Sequence, residues 1–148
     1  MNCRKASKQK IFNTVFNHLL TQGRPAVSPT GECMYRQEVR GQVRTCAVGC
    51  LIPKAKYDPS YESFAVAVVP EMSASEAVQL KKLRAALGFE GKLSVADKEK
   101  LRLLESLQTL HDMAANRSRV NVDGTFSRRF LRKEGESIAA MNDIKFDF

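Results

Sequence analysis

The stretch Glu32–Pro59 has the sequence ECMYRQEVRGQVRTCAVGCLIPKAKYDP and contains three of the four cysteines of this 148-residue chain. Its segments 32–37 and 42–45 flank an Arg-Gly pair at 40–41, which predicts two short antiparallel strands joined by a turn. Because Val43 is the only strongly β-favouring residue of the second strand, we expect the hairpin to need support from the rest of the fold. The rest of the chain is mainly helical in pattern, so this hairpin decides the fold class.

The segment after the hairpin, CAVGCLIP at 46–53, predicts one or two buried helical turns that end at Pro53. At this spacing Cys46 and Cys50 are expected to share one face of the turn. A second apolar run, Phe64–Val69, has the length of a buried strand, but its alanine and valine content leaves a helix as the alternative.

Four stretches have the apolar periodicity of amphipathic helices, and each follows a serine or threonine that can cap a helix N-terminus. The second and third also have an acidic residue three positions after the cap, as in a capping box. They are predicted from about Lys8 to Thr21, from Ser73 to about Leu87, from Ser94 to about Ala115, and from Thr125 or Ser127 toward Met141. Gly135 lies inside the last stretch and costs about 1 kcal/mol relative to alanine, so a split helix is an alternative there.

Length and composition indicate one domain, since 43% apolar and 27% charged residues are ordinary for a globular chain of this size. We predict an α+β fold that is mainly helical, with about four helices and a short antiparallel β-hairpin. The single domain spans residues 1–148, with a basic helix and hairpin in 1–63 and a helical part in 64–148. No apolar run approaches the roughly 20 residues of a membrane-spanning helix, and the charged start is unlike a signal peptide. We therefore expect a cytoplasmic protein without a membrane partner.

Positive charge is concentrated in the first third of the chain. Residues 1–56 contain ten lysines and arginines against two acidic residues, whereas residues 57–148 contain 14 of each, so the net charge of +8 lies in the first segment. Such a field favours an acidic partner, either nucleic acid or an acidic protein surface. A solvated basic face that keeps the protein soluble is the alternative.

Two groups of residues are candidates for binding such a partner, one on the hairpin and one on the last helix. Together they comprise Tyr35, Arg36, Arg40, Arg44, Arg128, Arg129 and Arg132. The arginines can contact phosphates or carboxylates, and Tyr35 is placed to stack on a base. No named nucleic-acid-binding motif is present, and the nine-residue connection between the last two helices is long for a helix-turn-helix.

The four cysteines are expected to be reduced, buried thiols, because the chain has no export signal. Zinc is an alternative for three of them, with Cys33, Cys46 and Cys50 as ligands and His111 completing a tetrahedral site. One observation argues against zinc: structural zinc sites usually have two closely spaced ligand pairs, whereas this chain has one, Cys46 and Cys50, in an apolar helical segment. The sequence contains no cofactor motif, so we expect no cofactor.

A thiol nucleophile is a further alternative. In this hypothesis Cys33 or Cys46 attacks, His111 acts as base and Asp112 orients the histidine. Neighbouring side chains on a helix diverge by about 100°, so the sequence predicts poor geometry between His111 and Asp112. We therefore expect that the protein is not an enzyme.

Five short motifs occur in order along the chain. They are Cys33-x-Tyr35-Arg36, Cys46-Ala47-Val48-Gly49, Leu51-Ile52-Pro53, Tyr57-Asp58-Pro59 and Leu107-Gln108-x-x-His111-Asp112. Together they resemble a family of small proteins encoded by tailed phages and prophages, closely over about residues 9–62 and loosely over 101–113. The turn at 37–44 is longer and more basic than the family's glycine-proline turn, and the C-terminal third with its arginines does not match. The family has no assigned activity, so the resemblance implies a phage origin and no particular reaction.

These observations favour a binding protein over a catalyst. We expect a non-enzymatic phage accessory protein in the bacterial host cytoplasm that binds and inhibits or redirects a host factor, such as a defence complex. Its partner would be a host protein or a protein–nucleic-acid complex. Direct binding of nucleic acid is the alternative, and a cysteine-dependent hydrolase is the third hypothesis.

Overall fold

The computed structural model describes residues 1–62, 64–66, 72–116 and 119–148. Within them lie four α-helices, one two-stranded antiparallel sheet and three short 3-10 helices, which confirms the predicted α+β, mainly helical fold. The helices are α1 (Lys8–Gln22), α2 (Ala74–Ala86), α3 (Val95–Ala115) and α4 (Arg128–Met141), and the strands are β1 (Arg36–Val39) and β2 (Gln42–Thr45). In the same residues, no helix has the length and apolar character needed to cross a membrane.

Each helix begins at a serine that accepts a backbone N–H with its side chain. These caps are Ser7, Ser73, Ser94 and Ser127. Both predicted capping boxes are present, with Glu76 bonded back to Ser73 and Asp97 bonded back to Ser94. The serine oxygens satisfy backbone donors that have no partner inside the helix, which is why the predicted starts hold to within one or two residues.

The hairpin turn lies at Arg40 and Gly41, as predicted. Their φ angles are +51° and +75°, and two successive positive values are typical of the two-residue turn that matches the twist of a hairpin. In the register of the hairpin, Arg36 lies opposite Thr45 and Gln37 lies opposite Arg44.

The first strand begins at Arg36, so the prediction that it begins at Glu32 was wrong. The preceding backbone is bonded elsewhere: Cys33 forms an isolated bridge with Val27, and the Met34 N–H donates to the Ala26 carbonyl oxygen at 3.0 Å. Because these groups have already found partners, the β1–β2 ladder cannot extend upstream.

The core is one continuous cluster that includes apolar residues of all four helices and the buried turn at 46–52. The C-terminal tail adds two aromatic rings that the sequence pattern did not predict: Phe146 and Phe148 pack with ring centroids 5.3 and 4.7 Å from that of Phe16. α4 continues through Gly135 without a break, so the alternative of a split helix does not hold.

One large apolar residue of α2 and one of α4 are exposed. Val78 is 53% exposed and Met141 is 71% exposed, because α2 and the end of α4 bury narrower faces than their apolar patterns suggest. The question whether Phe64–Val69 forms a strand or a helix lies largely outside the described residues.

The end of α1 holds the base of the hairpin. Gln22 exchanges two hydrogen bonds with the backbone of Thr45, at 2.9 and 3.0 Å, and His18 Nε2 lies 3.1 Å from the Thr45 carbonyl oxygen. The adjacent Gly23 carbonyl accepts the Phe126 N–H at 2.8 Å, just before α4 begins. Two segments that are about 80 residues apart in the sequence, at Thr45 and Phe126, therefore lie at this end of α1.

Candidate functional site

Six of the predicted binding residues form what we call the basic surface. It consists of Arg36, Arg40 and Arg44 on the hairpin and Arg128, Arg129 and Arg132 on α4. The segments that carry the two groups adjoin the same end of α1, because Thr45 at the base of the hairpin bonds to Gln22 and Phe126 before α4 bonds to Gly23. Both basic clusters therefore belong to segments that are held at one end of α1, although they lie in separate thirds of the chain.

The hairpin arginines do not all lie on one face. Cross-strand partners share a face and successive residues alternate, so Arg36 and Arg44 lie on opposite faces, while Arg40 is in the turn. Arg36 lies over the ring of Tyr57, with its guanidinium carbon 5.9 Å from the ring centroid.

Tyr35 is buried, so the expectation that it stacks on a base is wrong. Only 5% of this residue is exposed, and its hydroxyl donates to the Phe64 carbonyl oxygen. Its backbone N–H, like that of Arg36, donates to the carboxylate of Glu62, at 2.8 and 3.1 Å respectively. The Tyr57 hydroxyl also donates to Glu62, at 2.7 Å, so one carboxylate joins two of the sequence motifs.

The α4 arginines are exposed. α4 buries Leu131 and Ile138 on its opposite face, which turns Arg128, Arg129 and Arg132 toward solvent. Two of these three arginines lie in the first turn of α4, at the positive end of the helix dipole, where a negative side chain would stabilise the helix better.

None of the six arginines of the basic surface forms an ion pair with any residue that the structure describes. The ion pairs of lysine or arginine found there join Arg4 to Asp97, Lys8 to Glu99 and Lys145 to Asp147. Among the carboxylates of the described residues, none lies within 4.0 Å to compensate the positive charge of the basic surface.

A second candidate site lies between the segment before β1 and helix α3. The Cys33 Sγ lies 3.6 Å from His111 Nδ1, and the same nitrogen lies 3.0 Å from Asp112 Oδ1. Gln108 Nε2 donates to both the Cys33 sulfur and the Asp112 carboxylate, at 2.8 Å each. We call these four residues the thiol cluster.

The prediction of poor geometry between His111 and Asp112 was wrong. Their Cβ directions do diverge along the helix, but both side chains bend toward the Cys33 sulfur and meet there. Gln108 is a member that the sequence analysis missed, although its position three residues before His111 and four before Asp112 places all three on neighbouring parts of one helix surface.

Two backbone N–H groups orient the thiol cluster. The Val48 N–H donates to Gln108 Oε1 at 3.2 Å, so the Gln108 amide turns its NH2 group toward Cys33 and Asp112. The Ala26 N–H points at His111 Nε2 from 3.4 Å and needs a lone pair on that nitrogen. The ring proton then lies on Nδ1, between Cys33 and Asp112.

Two effects on the protonation of His111 oppose each other. Burial lowers the pKa of its imidazole, yet hydrogen bonds to Asp112 and Cys33 outweigh burial and raise that pKa to about 9. The Ala26 N–H acts against protonation of Nε2, because two N–H groups would then face each other. In either charge state Nδ1 carries a proton, because the neutral tautomer that accepts the Ala26 N–H holds its proton there and the imidazolium is protonated on both nitrogens.

Cys33 rests as a protonated thiol. Its hydrogen bond with Cys46 and its burial raise the pKa of the Cys33 thiol far above the usual range, against an opposing effect of His111. Moreover, Cys33 and Asp112 contact the same histidine nitrogen, whereas a nucleophile–base–orienter arrangement needs one on each nitrogen.

The predicted zinc ligands are only partly brought together. Cys33 contacts both His111 and Cys46, whereas the Cys50 thiol donates to the Ala47 carbonyl oxygen at 3.1 Å. Burial raises the pKa of Cys50 to about 12. Cys46 and Cys50 therefore do not act as a ligand pair, and all four cysteines, each within a described range, are free thiols.

A cavity of about 350 Å³ opens beside the thiol cluster and is lined by Cys33, Gln108 and Asp112 together with Glu32, Tyr35, Phe64 and Ala65. Tyr35 lines this cavity and bonds to Glu62, which also accepts the Arg36 N–H and the Tyr57 hydroxyl, so the motifs at 33–36, 57–59 and 107–112 lie in one region. Comparison of the chain with protein-family models, curated proteins and solved structures finds no match.

Proposed function

We propose that this protein is a non-enzymatic phage accessory protein that binds an acidic surface of a host factor in the bacterial cytoplasm and inhibits or redirects that factor. The observation that carries the proposal is the basic surface, where six arginines from two distant segments lie without an ion pair among the described residues. The resemblance to phage-encoded proteins supports the host factor as the partner.

The arginines of the basic surface contribute little to the fold itself. Apart from Arg36, which lies over Tyr57, they form no charge-pairing contact within the described chain, and two of them oppose the dipole of α4. Uncompensated charge of one sign repels itself and is stabilised when an acidic partner approaches. Arginine also forms paired hydrogen bonds with carboxylates and phosphates, so it suits either an acidic protein or a nucleoprotein complex.

The thiol cluster argues against the hypothesis of a cysteine-dependent hydrolase. A catalytic thiol needs a depressed pKa and a base that can take its proton. Here the pKa of Cys33 is raised, and the nitrogen that faces the sulfur carries the ring proton of His111.

The test is capture of partners from host lysate by tagged protein, with two charge-reversal variants. One variant carries Arg40→Glu with Arg44→Glu, and the other carries Arg129→Glu with Arg132→Glu. A control variant, Lys81→Glu with Arg102→Glu, makes the same change in net charge on exposed residues of α2 and α3.

We expect both basic-surface variants to lose a partner that the wild type and the control variant retain, with unchanged circular dichroism. Capture that survives nuclease identifies a protein partner. Loss of capture on nuclease treatment, with an affinity that falls steeply as salt rises, would instead indicate direct nucleic-acid binding. Equal capture by all variants would refute the proposal.

A further inference from the structure

We infer that Cys33, His111 and Asp112 form a binding site for a divalent transition metal of the zinc class. Their donor atoms, Sγ, Nδ1 and Oδ1, all lie within 4.8 Å of one another. The residues come from the segment before β1 and from α3, 78 positions apart, so tertiary packing alone assembles this mixed sulfur, nitrogen and oxygen set. The inference does not depend on the basic surface or its partner.

The distances between the donor atoms suit a tetrahedral ion. For a Zn–S bond of ~2.3 Å and a Zn–N bond of ~2.0 Å, tetrahedral geometry places the sulfur and the nitrogen about 3.6 Å apart. The same geometry places a nitrogen and an oxygen ligand about 3.4 Å apart. The observed separations are 3.6 Å from Cys33 to His111 and 3.0 Å from His111 to Asp112. The third separation, from the Cys33 sulfur to the Asp112 oxygen, lies within 4.8 Å, and the Asp112 side chain is 46% exposed, so it has room to adjust to an ion.

The chemistry of the donors narrows the choice of metal. Thiolate and imidazole favour zinc and neighbouring transition metals over magnesium and calcium, which prefer oxygen ligands alone. Three protein donors leave one tetrahedral position for water or another ligand, on the side where Cys33 and Asp112 line the cavity of about 350 Å³.

Binding rearranges two protons. The Cys33 thiol releases its proton to solvent as the sulfur–metal bond forms, and His111 Nδ1 gives up its proton as the nitrogen–metal bond forms, which leaves the ring neutral with its proton on Nε2. A protonated Nε2 cannot accept the Ala26 N–H, so the metal–nitrogen bond must be strong enough to outweigh the loss of this contact. Gln108 keeps its place as a donor to the sulfur and the carboxylate, the usual role of a residue that surrounds metal ligands.

The test is titration of the full chain with ZnCl2 in competition with a chromogenic chelator under reducing conditions. We expect one Zn²⁺ per chain, and an affinity that falls at least about tenfold in Cys33→Ser and in Asp112→Asn. The matched controls are Cys50→Ser, a half-buried thiol outside the site, and Glu105→Gln, an exposed carboxylate on the same helix. Both controls should bind as the wild type does.

A second measurement uses Co²⁺ as the probe. Sulfur coordination predicts a thiolate-to-cobalt charge-transfer band that is present in the wild type and in Cys50→Ser and absent in Cys33→Ser. Circular dichroism of each variant verifies that the fold is retained. Failure of the wild type to bind Zn²⁺ would overturn the inference. Equal loss of binding in Cys50→Ser and Cys33→Ser would also overturn it, because it would indicate adventitious thiol binding.

Discussion

Replacing Gly135 with alanine is expected to destabilise the protein, although alanine is the better helix former. Gly135 lies in the middle of α4, against the buried ring of Phe16. A Cβ added there would overlap the edge of that ring, at 2.7 Å from Cζ and 3.1 Å from Cδ2. Real Cβ atoms do not approach carbon this closely, so either the ring or α4 must move.

Two opposing contributions decide whether this substitution raises or lowers the free energy of unfolding. Exchanging glycine for alanine in a helix interior stabilises by about 1 kcal/mol, whereas overpacking a well-filled core costs about 1–3 kcal/mol. The Phe16 ring is held by Phe148, Phe146 and Phe12, with ring centroids 4.7, 5.3 and 5.4 Å away, so it cannot yield freely. We therefore place the cost of overpacking near the upper end of its range. The expected net loss in the free energy of unfolding is about 1–2 kcal/mol, which corresponds to a fall of about 3–6 °C in Tm.

Urea unfolding followed by circular dichroism measures this loss. The exposed Ser137→Ala on the same helix is the control, because it changes helix propensity without contact with the core and should be neutral or slightly stabilising. The double variant Gly135→Ala with Phe16→Leu should lose less stability than the sum of the two single variants, since the smaller side chain leaves room for the methyl group. A Gly135→Ala protein as stable as the wild type would refute the reasoning.

Two further predictions concern carboxylates that accept hydrogen bonds from the backbone. Glu62→Gln should lower the free energy of unfolding by about 1–3 kcal/mol, because the carboxylate accepts from the Tyr35 N–H and the Tyr57 hydroxyl and an amide weakens such bonds; unchanged urea unfolding would contradict this. The Ser94 N–H holds the pKa of Asp97 below its ordinary value, so this contribution to stability is present above the unfolded pKa of about 4 and is lost as pH falls through the folded value. Asp97→Asn should accordingly flatten the dependence of Tm on pH below about 4, and an unaltered acid profile would count against it.

Local interactions account for what could be predicted from the sequence. The helix starts depend on serine caps and capping boxes a few residues apart, and the hairpin turn depends on the Arg40-Gly41 pair itself. The excess of arginine in two segments was also evident from composition. For the caps and the turn, the interacting groups lie within a few residues of each other along the chain, so the local sequence is sufficient to predict the structure.

The thiol cluster shows what local reasoning missed. Helical geometry separates His111 from Asp112, yet both side chains meet at Cys33 because the Gln108 amide and the backbone of Val48 and Ala26 occupy the surrounding space. Side-chain rotamers in a packed interior follow from neighbours far away in sequence, which no periodicity reveals.

The sequence by itself determined the α+β class, the four helices and the concentration of positive charge, since propensity, caps and composition are properties of neighbouring residues. Only the tertiary structure decided that Cys33 meets His111, and that the base of the hairpin and the segment before α4 are both held at the end of α1. The physical reason is that contacts across 80 residues depend on how buried faces fit together, and that fit is a property of the whole core.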